Sequence, residues 1–506
     1  FAVTSHRLRP IWHSPSGTLR LLMTRRTSVL LCSCFLLVTC LSFAPLASAQ
    51  ATDTSHKEAV DIFRQLIEIN TTDSVGSVTA AAKAMQQRFL DAGFPASDMQ
   101  LLGPNDRKQN LVVRYHGASG KKPILFIGHL DVVEARRGDW TTDPFQFVTK
   151  DGYYYGRGTQ DMKESDAILV ETLLRLHRDG FKPDRDIILA LTADEEGGKS
   201  NGVDWLIKNH RDLIDAEYVL NPDGGGVELH HGKATIFSVD ASEKLYADYQ
   251  FTVTNHGGHS SLPVPDNAIY ELADGLQRLS QYSFPTELNG VTRDYFETES
   301  KIMSGQTAAD MRAILKTPPD PEAVKRLSQT PEYNSTLRTT CVATRLDAGH
   351  ANNALPQRAQ AIVNCRILPG HSKEEVRQDL IRVLNSPKIT VQYVGDGGEG
   401  QGVIFDRAPD KKALPPAAIN PEVTQALHQV AGKMWPDVPV VSTMADGASD
   451  GIYTNAAGMP TYGVSGIALE SNDVRAHGKD ERLPIASYDH GVDFYYDFLK
   501  TLTTAH

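Results

Sequence analysis

The sequence predicts an α/β protein in which a mixed, mostly parallel sheet is interrupted by an inserted α+β domain. Between residues 56 and 243, segments with helical spacing of apolar residues alternate with short apolar runs, the pattern of strands connected by helices. From about residue 245 the runs instead alternate apolar and polar residues, as strands with one exposed face do. The α/β pattern returns after about residue 400, so an inserted domain is the simplest account of this order.

The first 49 residues are expected to lie outside the folded protein. Residue 1 is Phe and the first methionine is Met23, so residues 1–22 are interpreted as upstream sequence. Residues 23–49 are typical of a signal peptide, because two Arg residues precede the apolar run 29–46 and Ala-Ser-Ala follows as a cleavage site. A membrane anchor is the alternative, but the Ser, Thr and Pro residues in the run favour cleavage. We therefore expect an exported protein, periplasmic or secreted, with no stable membrane span after cleavage.

Helices and buried strands alternate in residues 50–243, the first part of the α/β domain. Apolar spacing predicts helices at 56–70, 78–92, 163–179 and 202–213. Short apolar runs predict strands at 110–115, 123–128, 186–192 and 218–220. Because helices separate these strands, a largely parallel sheet follows.

The inserted domain, residues 244–396, is expected to be a small α+β unit with one open face. Its predicted elements are a strand at 246–254, a helix at 266–280, a polar stretch with many turn residues at 284–335, strands at 336–346 and 359–367, a helix at 372–385 and a strand at 388–394. Residues 397–506 return to the α/β domain with a helix at 421–434, an apolar segment at 438–444 and a last helix at 485–503.

Composition excludes several classes of protein. Hydrophobic residues make up 41% and charged residues 22%, as in ordinary soluble proteins. The formal net charge is −11, and loss of residues 1–49 would remove five Arg and no acidic residue, leaving −16. No Lys/Arg run indicates a nucleic-acid partner, so none is predicted.

Two cysteines, Cys341 and Cys365, remain after the leader is removed. This number excludes a disulfide-dense scaffold and a cysteine-based zinc site, so any metal would be bound by His and carboxylates. Both cysteines lie on predicted strands, about equally far from a turn around Asn353, and in an oxidising compartment they would be able to form a disulfide.

Five segments place an acidic residue or a His at the end of an apolar run or in a polar or Gly-rich loop. The first delivers His129 to the C-terminal end of a strand, with Asp131 two residues on and able to accept the second imidazole N–H. Each segment alone has an ordinary alternative, such as a helix cap or a charged turn. Together, in one α/β pattern, they indicate a site for two divalent ions that activate a water. The remaining candidates are Asp161, Asp194, Glu195, Glu196, Asp223 and His477.

These segments resemble the zinc exopeptidase and amidohydrolase family that includes aminoacylase, glutamate carboxypeptidase of the carboxypeptidase G type and succinyl-diaminopimelate desuccinylase. The resemblance runs from about residue 56 to the C-terminus. It implies a catalytic domain made of residues 50–243 and 397–506, with residues 244–396 as a lid and dimerisation domain. It also implies two Zn²⁺ per subunit, with Co²⁺ or Mn²⁺ as alternatives. Asp161 would bridge the metals, His129 and Asp223 would bind one, Glu196 and His477 would bind the other, Glu195 would be the general base and Asp131 the orienting carboxylate.

The inserted domain carries further matches to the family. Residues 253–263 resemble its lid segment, with His259 at the position of a polarising histidine that, in similar dimeric enzymes, reaches the neighbouring subunit's site. Asn353 opens a segment similar to the family's Asn-x-Ile/Val-Pro turn, and Arg366 falls where the family has an Arg for the substrate carboxylate. One departure is the stretch 284–335, which is longer than in compact members, so the geometry of a homodimer through this domain need not follow theirs.

The predicted function is hydrolysis of a terminal amide bond in a small peptide or an N-acyl amino acid. Glu195 would move the proton, His259 would help to stabilise the oxyanion, and Asn353 and Arg366 would hold a substrate carboxylate. One alternative is a metal-containing binding protein without catalysis, which the presence of Glu195 and five candidate ligands disfavours. A phosphoesterase would need further cationic groups near the metals. The choice between peptidase and N-acyl-amino-acid hydrolase stays open.

Overall fold

The computed structural model describes residues 44–395, 402–412, 416 and 418–504, with side chains from residue 54 onward. The predicted leader and the residues before it lie outside this part, except for the backbone of residues 44–49, which is helical. Residues 53–506 form one compact unit. None of the helices in the described ranges is both long and apolar enough to cross a membrane.

The helices are α1 (Ala44–Glu68), α2 (Val78–Asp91), α3 (Lys163–Arg178), α4 (Gly202–Asn209), α5 (Arg211–Ile214), α6 (Ala268–Ser280), α7 (Gly290–Ile302), α8 (Gly305–Ile314), α9 (Pro321–Leu327), α10 (Pro331–Leu337), α11 (Lys373–Leu384), α12 (Pro421–Met434), α13 (Gly451–Ala456) and α14 (Ile485–Thr503). The strands are β1 (Met99–Leu102), β2 (Asn110–Tyr115), β3 (Lys121–His129), β4 (Val148–Lys150), β5 (Tyr153–Tyr155), β6 (Arg185–Thr192), β7 (Tyr218–Asn221), β8 (Gly226–His230), β9 (Lys233–Glu243), β10 (Leu245–Thr254), β11 (Gly258–His259), β12 (Thr340–Ala348), β13 (Ala354–Leu355), β14 (Arg358–Ile367), β15 (Thr390–Val394), β16 (Ile404–Phe405), β17 (Val440–Ala445), β18 (Thr461–Gly463), β19 (Ala468–Glu470) and β20 (Arg482–Pro484).

Ten strands form the large sheet, in the order β1-β2-β6-β3-β7-β18-β9-β8-β19, with β17 paired to β9. The central neighbours β6, β3, β7 and β18 run parallel, and so do the pairs β17–β9 and β19–β8. The pairs β1–β2, β2–β6, β8–β9 and β18–β9 are antiparallel. The predicted α/β fold with a mixed, mostly parallel sheet is confirmed.

Helices cover both faces of the large sheet, which explains its continuous apolar runs. In β3, Ile124 and Phe126 belong to the hydrophobic core that includes residues of α1, α3 and α14. Their neighbours Leu125 and Ile127 belong to a separate core with residues of α4. Because side chains alternate along a strand, each face of β3 packs against its own layer of helices.

The small sheet is antiparallel, in the order β12-β14-β10-β15-β16. Alternate residues of β10, such as Tyr249 and Phe251, share a core with residues of α6 and α11. Strand β12 lies at the edge, with Val342 and Leu346 exposed. Sequence patterning therefore predicted this α+β arrangement and its open face. The sheet, however, continues to β16, beyond the predicted domain boundary at residue 396.

Residues 284–335 differ from the expected polar stretch, because most of them belong to four short helices, α7 to α10. These helices have their own core, which includes Phe296, Met311 and Leu327. Asn289 and Thr292 form a capping box at the start of α7. The Gly and Pro residues at the helix starts resemble a series of turns in the sequence, which concealed the short helical periods.

A disulfide joins Cys341 and Cys365, which lie directly opposite each other on β12 and β14. Both positions follow from the antiparallel pairing around the turn near Asn353. The structure therefore contains the disulfide that the strand spacing allowed.

Candidate active site

Three of the five predicted segments meet at the carboxyl edge of the large sheet. His129 is the last residue of β3 and lies beside Thr192, the last residue of β6. Glu195 and Glu196 follow β6, and Asp223 follows β7, the other neighbour of β3. Because adjacent parallel strands end at the same edge, these side chains approach one another.

The other two segments are held together by buried polar contacts. Glu481, fully buried, accepts a 2.5 Å hydrogen bond from Arg157 Nη1 and a 2.7 Å bond from the backbone N–H of Gln160. The Gln160 side-chain oxygen accepts the backbone N–H groups of Arg475 and Ala476 at 2.6 and 3.1 Å. The loop that ends at Asp161 is therefore attached to the loop that carries His477. Asp161 is not a helix cap, since the N-cap position of α3 is Met162.

Asp161 lies between two imidazoles. His129 Nε2 is 3.1 Å from Asp161 Oδ1 and 3.7 Å from Asp223 Oδ1. His477 Nε2 is 3.0 Å from Asp161 Oδ2 and 2.9 Å from Glu196 Oε1. His129, Asp161 and Asp223 are thus one group able to hold a metal ion, and Asp161, Glu196 and His477 are a second. The two groups share only Asp161, with one oxygen facing each.

The donor atoms of these groups fit divalent cations. His129 Nδ1 is 3.0 Å from the backbone oxygen of Asp131, which can only accept, so Nδ1 carries a proton and Nε2 faces the carboxylates. His129 Nε2 and Asp161 Oδ1 are buried and lack a hydrogen-bond partner of good geometry among the described residues. A metal ion binds an imidazole through a nitrogen without a proton and binds carboxylates in their ionised form, so His129 Nε2 and the carboxylates around it suit a pair of ions bound through nitrogen and oxygen.

Asp131 differs in its contacts from the expectation. Its carboxylate is 3.9 Å from His129 Nδ1, too far for a hydrogen bond, and the backbone oxygen takes that role. Asp131 Oδ1 and Oδ2 instead accept the backbone N–H groups of Glu195 and Glu196, at 3.2 and 3.0 Å. The prediction that the Asp131 carboxylate orients the imidazole is therefore wrong in this structure, because the strand end turns the carboxylate toward the loop after β6.

Burial and crowding perturb the ionisation of the site. Burial raises the pKa of Asp131 to about 7 and that of Asp223 to about 6, with His129 opposing both shifts. Burial also raises the pKa of Glu195 well above its usual range, and nearby carboxylates add to this effect. The carboxylates of Asp161 and Glu196 raise the pKa of His477 to about 10. Negative charge thus exceeds positive charge locally, as expected where cations bind.

A cavity of about 320 Å³ opens over both groups and is lined by Asp161, Glu195, Glu196, Asp223 and His477. Arg366, at the end of β14, also lines it, and its guanidinium lies over the ring of Tyr246 at 4.9 Å. The structure therefore brings Arg366 to the same cavity as the candidate base and ligands.

Several further residues of this cavity escaped the sequence reasoning. Asp240 and Glu243 of β9 line it, and Glu243 accepts hydrogen bonds from Ser449 N and Oγ at 2.8 and 2.9 Å. Asp450, next to Ser449 but not part of the cavity lining, is buried and accepts a hydrogen bond from Asn201 Nδ2 at 2.6 Å. The signal for this loop was present, since an acid in a Gly-rich segment follows the apolar run 438–444.

His259 and Asn353 lie apart from the cavity lining. His259 is exposed on β11, which pairs with β13, and its Nδ1 is 2.7 Å from Ser261 Oγ. The backbone oxygen of Asn353 accepts the N–H of Ser260 at 3.1 Å. The predicted catalytic His259 is thus on the small two-stranded sheet, and the predicted substrate contact Asn353 directly precedes its second strand, but neither lines the cavity of its own chain.

Comparison with known proteins agrees with this geometry. The model of peptidase family M20/M25/M40 matches residues 125–501. A probable carboxypeptidase S-like 2 of Dictyostelium discoideum is 29% identical over 427 residues, covering 81% of this chain and 78% of its own length. The human N-fatty-acyl-amino acid synthase/hydrolase PM20D1 is 27% identical, covering 76% and 74%. An M20 family metallo-carboxypeptidase from Sulfolobus solfataricus shares the fold, with a TM-score of 0.64 at 17% identity, covering 88% of this chain and 99% of its own. The chain belongs to peptidase family M20/M25/M40.

Proposed function

We propose that the protein uses two bound zinc ions to hydrolyse the terminal amide bond of a small peptide or N-acyl amino acid that has a free carboxylate. Membership of the family makes it a metal-dependent hydrolase. The observation that carries the finer proposal is a single cavity whose lining includes carboxylates of both candidate ligand groups, Glu195 and Arg366. The named relatives include a carboxypeptidase-like protein and an N-fatty-acyl-amino acid hydrolase, and both kinds of substrate contain such an amide bond.

The proposed ligands are His129 and Asp223 for one ion, Glu196 and His477 for the other, and Asp161 for both. Zinc suits this mixture of imidazole and carboxylate donors, with cobalt or manganese as alternatives. When bound, the two ions would lower the pKa of a water and polarise the substrate carbonyl.

Glu195 is the proposed general base. It lines the cavity beside both ligand groups, and Asp131 fixes its backbone N–H. Its carboxylate would take a proton from the attacking water and give it to the leaving nitrogen, which departs as an amine. Asp131 thus acts as a positioning residue for the loop that holds Glu195 and Glu196.

Arg366 is the proposed contact for the substrate carboxylate. A guanidinium can donate two parallel hydrogen bonds to a carboxylate, which fixes both distance and orientation. Stacking on Tyr246 restrains the guanidinium before substrate arrives. A carboxylate at Arg366 would place the residue that leaves as the amine in the 320 Å³ cavity.

His259 and Asn353 are proposed to serve the site of a second subunit in a homodimer. His259 lies on the two-stranded sheet and Asn353 directly precedes its second strand, and both are outside the cavity lining of their own chain. Residues 244–396 would act as the lid and dimerisation domain on the catalytic domain of residues 50–243 and 397–506. Edge strand β12, with its exposed Val342 and Leu346, offers unpaired backbone groups and apolar side chains for such pairing.

Export is proposed from the leader sequence, residues 23–49, and fits the Cys341–Cys365 disulfide, since such bonds persist in oxidising compartments. N-terminal sequencing of the mature protein should find Gln50 or a neighbouring residue. A retained leader in the membrane fraction would contradict cleavage.

The test of the proposed function is a substrate panel with metal-reconstituted protein. Stripped protein is reloaded with zinc, cobalt or manganese and offered dipeptides, N-acyl amino acids and the same compounds with the carboxylate converted to an amide. We expect hydrolysis of free-carboxylate substrates and a loss of about a hundredfold or more with the amides. Arg366→Ala should mainly raise KM for the free-carboxylate compounds. Equal cleavage of acids and amides, or cleavage of phosphoesters alone, would refute the proposal.

A further inference from the structure

A second cavity, of about 670 Å³, lies between the edge of the large sheet and the inserted helices. Strands β8 and β19 form one side, and helices α7 and α10 contribute to the other. It shares Asp223 and Gly224 with the smaller cavity, whereas Arg366 lines only the smaller one. A substrate held at Arg366, with its amide bond at the proposed metal ligands, would therefore direct its acyl part into this larger cavity.

The charged residues that line this cavity are almost all acidic. Glu164, Glu228, Glu299 and Glu332 contribute carboxylates, and no Lys or Arg of the described chain is among the lining residues. His230 is the one lining residue of the described chain with a basic side chain. An acidic lining by itself is typical of an ordinary solvated surface. Whether this lining indicates a ligand site therefore depends on the partners of each carboxylate.

Two of these carboxylates belong to buried residues and have no cationic partner among the described residues. Glu299 is 3% exposed, and its carboxylate has no hydrogen bond or ion pair within the described residues. Glu164 is 4% exposed, and its Oε1 accepts from Ser165 Oγ at 3.0 Å while Oε2 has no partner. Holding an unpaired carboxylate on a buried residue is costly, so Glu299 in particular indicates a group that is supplied from outside the chain.

Aromatic rings stand beside the same carboxylates. Tyr295 and Tyr333 line the cavity next to Glu299 and Glu228. Both rings pack edge-on against Phe296 of the helical core, with centroid distances of 5.1 Å for Tyr295 and 6.2 Å for Tyr333. Carboxylates combined with tyrosine faces suit an organic cation, because the rings attract its charge and also pack against its alkyl chain.

We propose that this cavity binds the ammonium or guanidinium group of a basic side chain on the residue at the acyl side of the scissile bond. The inference rests on the proposed hydrolase function and adds a substrate preference to it. Glu299 and Glu228 would pair with the cation, Tyr295 and Tyr333 would enclose its alkyl stem, and Val227 and Leu469 would line the remaining path. An uncharged fatty chain would instead leave the buried carboxylates unpaired.

The test compares N-acetylated dipeptides that share one C-terminal residue and differ at the acyl-side residue, which is Lys, norleucine or Glu. We expect kcat/KM for the Lys compound to exceed that for norleucine about tenfold or more, with the Glu compound lowest. Glu299→Gln should lower kcat/KM for Lys about ten- to a hundredfold and leave norleucine within about threefold. Glu228→Gln provides a second variant of the same kind. The matched control is Glu297→Gln, on the same helix but exposed and paired with Lys301.

Equal kcat/KM for Lys and norleucine, or an equal loss for both in Glu299→Gln, would overturn the proposal while leaving the hydrolase function intact. Preference for a long-chain N-acyl amino acid over the Lys compound would also overturn it. If no compound is hydrolysed, the proposed function fails, and calorimetric binding of Nα-acetyl-lysine amide decides separately on the cavity. Binding that Glu299→Gln weakens about tenfold would support the cation site, and binding that is absent or unchanged would refute it.

Discussion

Glu195 and Glu196 are sequence neighbours whose carboxylates have different surroundings. Glu196 Oε1 lies 2.9 Å from His477 Nε2, within a candidate ligand group. The Glu195 carboxylate lines the cavity and makes no hydrogen bond to another described residue. The turn after β6 separates the two side chains, because Asp131 accepts both of their backbone N–H groups.

We predict that glutamine at these two positions produces different defects. Glu195→Gln should retain two metal ions per chain and lower kcat by a factor on the order of 10²–10⁴, because it keeps the shape but removes the base. Glu196→Gln should lower the metal content, because an amide is a weaker ligand than a carboxylate. Atomic emission on dialysed protein, alongside turnover, measures both effects. Equal loss of metal in the two variants would contradict the assignment.

The burial of Glu299 should also make the stability of the folded protein depend on pH, whether or not substrate is bound. Burial raises its pKa to about 7, and the nearby Glu228 carboxylate adds to the shift. The folded protein therefore binds this proton more tightly than the unfolded chain, whose Glu titrates near 4.5. Stability contributed by the protonated form is fully present below about pH 4.5 and is lost as pH rises through about 7.

We predict that Glu299→Gln raises the melting temperature at pH 8.5, by on the order of a few degrees, and has little effect or lowers it at pH 5. The reason is that glutamine keeps the volume but cannot ionise. Thermal unfolding followed by circular dichroism at both pH values measures the difference. Glu297→Gln, being exposed, should show no such pH dependence. A shift of the same size at both pH values would show that Glu299 does not titrate as described.

At the scale of elements, the disulfide joins edge strand β12 to β14 immediately before Arg366. The bond closes a loop with a sequence separation of 24 residues, and such a cross-link stabilises a fold by about 3 kcal/mol through the unfolded state. It also attaches an otherwise exposed edge strand to the strand that carries the proposed carboxylate contact.

We predict that the double variant Cys341→Ala, Cys365→Ala has a lower melting temperature than the oxidised wild type. A reducing agent should lower the melting temperature of the wild type but not that of the double variant. Thiol titration of the unreduced, denatured mature protein should find neither cysteine free. Two titratable thiols would contradict the bond. A double variant as stable as the wild type would show that the stability of the small sheet does not depend on the disulfide.

At the scale of the whole molecule, His259 lies outside the cavity lining, so the role proposed for it needs either a moving lid or a second subunit. We predict that His259→Ala keeps its metal but loses turnover by roughly 10²–10³, as removal of an oxyanion donor does. Mixing inactive His259→Ala with inactive Glu195→Gln should restore activity, since a mixed dimer contains one site with Glu195 and a partner's His259. Charge substitution at the exposed β12 residues, Leu346→Lys for example, should weaken dimers in sedimentation and abolish this rescue.

No recovery in the mixture, with subunit exchange shown independently, would mean that His259 acts within its own chain or not at all. A monomeric but fully active wild type would exclude the dimer proposal while leaving the metal site untouched. The mixing experiment and the oligomeric state therefore test the proposed role of His259 independently of the proposed metal site.

The sequence by itself determined the features that depend on local order along the chain. Apolar runs at 124–127 and 187–191 showed buried strands, and parallel strands place their ends together, so His129 could be expected near the residues that follow β6 and β7. The antiparallel alternation around residue 353 likewise allowed Cys341 and Cys365 to lie opposite each other, as they do. In these cases the period of the strand determines where a side chain points.

The tertiary structure alone decided the contacts between distant segments. The bond of Arg157 to Glu481 spans 324 positions, and the Asp131 carboxylate turned from His129 to a neighbouring loop. The short helices of residues 290–337 became recognisable only through their shared core, and the buried Glu299 only through the cavity beside it. Packing between elements sets these contacts, and no periodicity within one element encodes which distant segment will lie against it.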